Sequence, residues 1–327
     1  MDNPLLEVRG LSKHFPVRGG VLMRKIGEVH AADEVSFTLG QGETLGLVGE
    51  SGCGKSTVGK TLLRLYPATA GQILFEGRDI TQLSKRQMRR VRRDLQIIFQ
   101  DPFESLNSRH TIGKILEEPY LIHAMGDASQ RRTWVLELLQ KVGLPESAFD
   151  RFPHEFSGGQ RQRIGIARAI ALKPKVIVCD EAVSALDVSI QAQIINLLLE
   201  LQQEMNLALL FIGHDLSVVK HVSDRIAVMY LGEIVEEATS ESIYGRSRHP
   251  YTQALISAIP QADPTLRKQR IVLQGDVPSP ISPPSGCRFH TRCRYARDIC
   301  AERPPVLENI TPGHRIACHR WKEISPS

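Results

Sequence analysis

The sequence has no window of about 18 consecutive apolar residues, which excludes a membrane-spanning helix. Its opening, Met1-Asp2-Asn3-Pro4, lacks the basic segment and apolar core of a secretory signal, so the cytosol is the expected compartment. No repeat recurs at a period of roughly 20–50 residues, which excludes a solenoid or a propeller. A uniform basic excess is missing too: residues 1–263 carry 30 Lys and Arg against 31 Asp and Glu, and the rest carries 11 against 5. The net charge of +5 therefore belongs to the tail, unlike a nucleic-acid binder that is basic throughout. Cysteine is scarce until Cys287, with only Cys53 and Cys179 before it, and these two read as small packing residues.

What is present fits an ordinary globular chain of 327 residues, 42% apolar and 24% charged, with room for about two structural units. Up to about residue 245, strand-like apolar runs alternate with helical periodicity, the pattern of an α/β unit with a mainly parallel sheet. Glu43 to Val48, Lys175 to Asp180 and Leu207 to Ile212 read as strands buried on both faces. Ile190, Ile194, Leu197, Leu198, Leu201 and Met205 predict a helix from Asp187 to Asn206. Asp101 to Phe156 has no strand run and includes the helical stretch Arg131 to Val142, so a helical insertion over about 101–160 is expected. The basic run Lys85 to Arg93 reads as a solvated helix face leading into a buried strand from Leu95 to Phe99. Residues 246–327 hold 11 of the 19 prolines, with Asp276 to Pro284 as an extended spacer.

Gly49-Glu50-Ser51-Gly52-Cys53-Gly54-Lys55-Ser56-Thr57 fits G-x-x-x-x-G-K-[ST] between a predicted strand and a predicted helix, the context a P-loop requires. Its glycines let backbone N–H groups close on phosphate oxygens, and the helix aims its positive end at the same anion. Lys55 is placed for the β- and γ-oxygens of a nucleoside triphosphate, and the Ser56 hydroxyl for Mg²⁺. Asp180, at the end of the second buried strand, is suited to hold Mg²⁺ through water, and Glu181 to polarise an attacking water.

Between these elements stands Phe156-Ser157-Gly158-Gly159-Gln160-Arg161-Gln162-Arg163, which resembles the signature of ATP-binding-cassette (ABC) ATPases. Gln100 in Ile98-Phe99-Gln100-Asp101-Pro102 resembles their Q-loop, Asp187 in Ser184-Ala185-Leu186-Asp187 their D-loop, and His214 their switch histidine. Glu117-Glu118-Pro119, Met229-Tyr230-Leu231-Gly232, His249-Pro250-Tyr251-Thr252-Gln253-Ala254-Leu255 and the cysteine tail are similar to the peptide/nickel importer ATPases, dipeptide and oligopeptide subunits especially. One departure is Ala182, where the family has proline; losing a fixed φ there loosens the loop that carries Glu181 and bears on turnover rate.

The resemblance implies an α/β P-loop nucleotide-binding domain over residues 1–245, with a RecA-like core, an antiparallel β subdomain and a helical subdomain. A small irregular metal-binding extension over 246–327 would follow it. ATP would lie between the P-loop of one subunit and the Ser157-Gly158-Gly159-Gln160 signature of its partner, with Asp187 crossing the dimer. Glu181 would act as base, His214 would touch the γ-phosphate, and Gln100 would report occupancy and join Ser56 and Asp180 around Mg²⁺. Phe15 sits where the family stacks an aromatic on adenine; a core position is its other reading.

The tail spacing Cys287-x5-Cys293-x6-Cys300-x17-Cys318 leaves three readings open. A reducing cytosol disfavours disulfides, zinc takes four thiolates but the paired C-x2-C knuckles are missing, and an iron–sulfur cubane tolerates variable spacing. The resemblance implies a [4Fe–4S] cluster, leaving His290, His314 and His319 as bystanders. It also implies an ATPase on the cytoplasmic face of the bacterial inner membrane, docked on two permease subunits. A second, related ATPase subunit and a periplasmic solute-binding protein complete that system, which contains no nucleic acid. A soluble ABC ATPase acting on nucleic acid or the ribosome is the alternative; paired cassettes or a long coiled coil, its usual marks, are absent. A silent subunit that only binds ATP is a third reading, and Glu181, His214 and the intact signature speak against it.

Overall fold

In the computed structural model, residues 4–19, 24–101, 105–259 and 270–326 are described. Of the residues named above, Met1 to Asn3 and Pro102 lie outside them, as do parts of the stretches 101–160 and 246–327. The chain divides into two compact units, one of Met1–Gly40, Thr44–Gln82 and Phe211–Ser327, the other of Gln41–Glu43 and Leu83–Leu210.

The first unit opens with a four-stranded antiparallel sheet. Leu6–Gly19 lies between Arg24–Leu39 and Ala70–Phe75, and Arg78–Asp79 forms the far edge. The long first pair is broken by four register shifts, which interrupt its two-residue alternation. A second set of strands carries the nucleotide motif: Thr44–Val48, buried at every position, runs parallel to Arg225–Tyr230. That strand turns back into Glu233–Thr239 through Leu231 and Gly232, both at positive φ (42° and 89°) as the tight turn of a hairpin demands.

The tail joins this same layer. His314–Ile316 pairs antiparallel with Glu233–Thr239, and Glu308–Thr311 pairs with His314–Ile316. Beneath this pairing, Glu236 is fully buried; its carboxylate accepts from the Arg248 N–H (2.9 Å), the His249 N–H (3.2 Å) and His314 Nε2 (2.8 Å). Its neighbour Glu237 meets Arg225 and Arg315. Two buried carboxylates in a row are tolerable only because each has this full set of donors. The spacer is tied down as well: the His30 N–H donates to the Pro280 carbonyl at 2.9 Å.

In the second unit Leu95–Ile98 pairs in parallel with Val176–Asp180. Helices Lys85–Val91, Ile112–Ile122, Ala128–Lys141, Gly158–Ile170 and Val188–Met205 supply the rest, and no strand falls within described residues 105–156. Helix Val188–Met205 buries Ile194, Ile195, Leu197, Leu198 and Leu201 and stops at Asn206, whose φ of 51° is left-handed. Helix Lys85–Val91 buries only Met88 and Val91 and exposes Lys85, Arg86, Arg89 and Arg90. Ala208–Ile212, buried throughout, crosses the sequence boundary of the two units. No helix among the described residues is long and apolar enough to cross a membrane.

Candidate functional site

In the first unit, the strand Thr44–Val48 delivers the chain into the loop Gly49 to Gly54 and the helix Lys55–Leu62. Gly54 has φ +106°, and a β-carbon there would lie 1.7 Å from the Ala31 carbonyl oxygen; at Gly49 it would lie 2.1 Å from that of Met229. Only glycine lets the loop press so closely on its two supporting strands. Among the described residues no side chain caps the helix, and no acidic residue sits in its first turn, so its N–H groups and dipole suit an anion. Lys55, 4% exposed, rests its Nζ on the carbonyls of Gly49 (2.8 Å) and Glu50 (3.1 Å). Cys53 is buried, and burial pushes its thiol up, which suits packing and not reactivity. Phe15 is half-buried with its ring edge-on to Tyr66 at 5.2 Å, and Lys13 Nζ lies 4.7 Å from its centroid. His214 is exposed beside Asp215, which caps helix Leu216–Val222 through the Ser217 N–H at 2.8 Å.

In the second unit, Val176–Asp180 ends on a buried Asp180, and the next residue, Glu181, sits at φ +50°. A glutamate held in the left-handed region is a strained turn of the kind found at reacting sites. The Gln100 amide donates to the Glu181 carboxylate at 2.9 Å, bringing together two residues that the motifs single out separately. Ser184 closes the turn by donating to the Glu181 carbonyl at 3.0 Å, and Ala182 is buried. Asp187 and Val188 open the long helix fully in solvent, and Val188 is 82% exposed.

The signature helix Gly158–Ile170 begins directly after Ser157, which is its N-cap. The Ser157 hydroxyl accepts from the Gln160 N–H (3.4 Å), and the Gln160 side chain accepts from the Ser157 N–H (3.0 Å). This capping box at S-x-x-Q spacing is a signal legible in the sequence itself. Gly159 is small for packing, since a β-carbon there would strike Ile190 at 2.4 Å. Ser157→Ala should cost the helix about 1 kcal/mol of capping free energy. Thermal unfolding checks this, and an unchanged melting curve would refute the cap.

The four tail cysteines converge. Cys287, Cys293, Cys300 and Cys318 line one small cavity with His249, Phe289 and others. Burial pushes the Cys287 thiol up to about 12 and Cys318 to about 11, and raises Cys293 as well. Such thiols stay protonated unless a cation takes the sulfurs as thiolates. Four thiols converging on one cavity are a donor set that suits either a zinc ion or an iron–sulfur cluster.

A second group of ligand types, His14, His30 and Asp33, gathers on the antiparallel sheet. Asp33 accepts from both imidazoles and from the Arg288 guanidinium, whose Nε also meets Glu233 at 2.8 Å. Burial opposes charge on Asp33, yet the bonds from Arg288, His14 and His30 hold its carboxyl below the usual range. A dication would have to displace that guanidinium, so the group is an ion network tying the tail to the sheet.

Two family profiles match in sequence: ABC transporter over residues 32–184, and oligopeptide/dipeptide transporter, C-terminal region, over 235–300. The oligopeptide transport ATP-binding protein AppF of Bacillus subtilis (strain 168) is 55% identical over 97% of this chain and 97% of its own. The dipeptide transport ATP-binding protein DppF of Haemophilus influenzae is 50% identical over 97% of each chain. Among solved structures, a dimeric ATP-binding cassette, MJ0796 bound to ADP and Pi, matches with a TM-score of 0.64 and 27% identity, over 72% of this chain and 98% of that one. Shared P-loop architecture and near end-to-end identity lead to one conclusion: the chain belongs to the ABC transporter ATPases, in the group bearing the oligopeptide/dipeptide transporter C-terminal region.

Proposed function

We propose that this ATPase powers import of dipeptides, oligopeptides or a similar small solute through two partner permease subunits on the cytoplasmic face of the bacterial inner membrane. The end-to-end identity with peptide and dipeptide transport ATP-binding proteins carries this reading. The relatives that match over nearly the whole chain are peptide and dipeptide transport ATP-binding proteins, so an action on nucleic acid or the ribosome is not favoured. Functionally the chain divides near residue 245 into a cassette, with its helical part over about 101–160, and a tail.

In the proposed reaction the Gly49–Thr57 loop and Lys55 bind the triphosphate, and Phe15 packs on adenine. Ser56, Asp180 and Gln100 would hold Mg²⁺, which neutralises charge on the phosphates. Glu181, oriented by Gln100, takes a proton from water as the water oxygen bonds to the γ-phosphorus. The bond from that phosphorus to the bridging oxygen breaks, leaving ADP and phosphate, with His214 steadying the γ-phosphate. Ser157, Gly158, Gly159 and Gln160 serve the nucleotide of the opposite cassette, supplied by a related chain or a second copy. The exposure of Asp187 and Val188 supports a face that a second cassette covers. A periplasmic solute-binding protein would deliver the cargo.

Deleting the gene from the source bacterium should abolish uptake of a labelled di- or oligopeptide, and restoring the chain should return it. Unchanged uptake would overturn the proposal. For the tail we propose a [4Fe–4S] cluster on Cys287, Cys293, Cys300 and Cys318, supported by their convergence on one small cavity and by the variable ligand spacing such clusters accept. Protein purified without oxygen should contain iron and acid-labile sulfide, and Cys300→Ser should lose both. Stoichiometric zinc in their place would refute the cluster.

A further inference from the structure

We propose that Arg292 is a positioning residue of the nucleotide site: with Tyr251 it fixes Glu50 in the phosphate-binding loop, so that the state of the four-cysteine module sets how tightly the loop takes ATP. The coupling takes the cysteine site proposed above as its input; the role of Arg292 toward Glu50 stands on geometry alone.

Glu50 is held at every polar group it has. Its N–H donates to the Tyr251 hydroxyl at 2.8 Å. Its carbonyl accepts from the Cys53 N–H (3.3 Å) and from Lys55 Nζ (3.1 Å). Its carboxylate accepts from both terminal nitrogens of Arg292, at 2.8 and 3.2 Å. The guanidinium is only 8% exposed and the Glu50 side chain 28%, while Tyr251 is fully buried, so the charged pair is partly shielded from water and its two-point geometry fixes the carboxylate. Because the phosphate lysine rests on the Glu50 carbonyl, displacement of Glu50 shifts the lysine and the loop amides with it.

Both clamps lead to the cysteines. Arg292 precedes Cys293 and ends the short turn His290–Arg292. That turn is closed by His290 N–H to the Cys287 carbonyl (2.9 Å) and Cys293 N–H to the His290 carbonyl (3.2 Å). The positions of Cys287 and Cys293 thus set where Arg292 stands. Phe289, in the same segment, lines the cysteine cavity and packs its ring 5.4 Å from Tyr251 and 5.2 Å from Tyr230. One route runs through a charge pair and the other through an aromatic contact, and they meet on one loop residue. A structural salt bridge alone would not require that the cavity wall and the loop share Phe289 and Tyr251. By linkage, whatever orders the cysteine module then favours ATP, and ATP favours the ordered module by the same factor.

The test uses the full chain purified without oxygen, either iron-loaded or stripped with a chelator, and titrated with a fluorescent ATP analogue. Stripping should weaken wild-type binding about tenfold. Loaded Arg292→Gln should show a similar loss, should lose nothing more on stripping, and should keep its iron and sulfide. Arg292→Lys, which restores charge without the two-point bond, should recover affinity in part. Saturating analogue should raise the affinity for iron by the wild-type factor. Should Arg292→Gln not fold, Glu50→Gln removes the same charge pair from the loop side and carries the same expectation. Wild-type affinity in loaded Arg292→Gln, or an equal loss on stripping in wild type and variant, overturns the proposal. A chain that takes up no metal refutes the cysteine reading and the coupling with it; the loss in Arg292→Gln then decides the positioning role separately.

Discussion

A Glu181→Gln chain should bind ATP within about twofold of wild type, while its hydrolysis in the assembled transporter falls about a thousandfold, within the range of a lost general base. The side chains have the same shape, and the glutamine oxygen can still accept from the Gln100 amide that reaches Glu181 at 2.9 Å. In the proposed reaction, what disappears is the proton acceptor, not the packing. Steady-state phosphate release measured beside analogue titration separates the two effects. Turnover at the wild-type rate would remove Glu181 from the reaction.

The second large effect is expected at Gly54→Ala. The added methyl would sit 1.7 Å from the Ala31 carbonyl oxygen, a backbone atom of the strand Arg24–Leu39. The residue must also hold φ +106°, a conformation that costs a residue with a β-carbon a few kcal/mol. Loop or strand must move, and the N–H groups facing the phosphates move with it. ATP affinity should fall by about a hundredfold, which is what such strain is worth when binding has to restore the native loop. Circular dichroism would report whether the rest of the chain stays folded. Wild-type affinity in a folded variant would mean that the approach of loop and strand does not shape the phosphate site.

The parts legible in the sequence are those whose signals are local. Buried parallel strands are continuous apolar runs, so Glu43 to Val48 and Lys175 to Asp180 anticipate Thr44–Val48 and Val176–Asp180 to within one residue. The long pair Leu6–Gly19 and Arg24–Leu39 was not legible, because its register shifts, such as those flanking Leu11 and Lys13, break the alternation that identifies a strand. The loop Gly49 to Thr57 announces itself by composition, and Asp180 and Glu181 by their place after a strand. The partners that orient them are distant in sequence: Gln100 is 81 residues from Glu181, and Arg292 is 242 from Glu50. Tyr251 stood within a motif noted for family likeness, yet its hydroxyl on the Glu50 N–H needed coordinates. The tail read as an appendage because prolines hide its short strands, although His314–Ile316 extends the strand layer of the first unit.

That last pairing bears on where the gene can be cut. The profile for the C-terminal region stops at residue 300, and a shortened product ending there would look like a tidy minimal cassette. It would lack Cys318, and it would also uncover Glu236 by removing His314, opening a carboxylate-floored notch along Glu233–Thr239. A bare, unmatched strand invites pairing with any neighbour that offers one. Precipitation of such a fragment would therefore report a missing lid, and should not be mistaken for an inability to bind nucleotide.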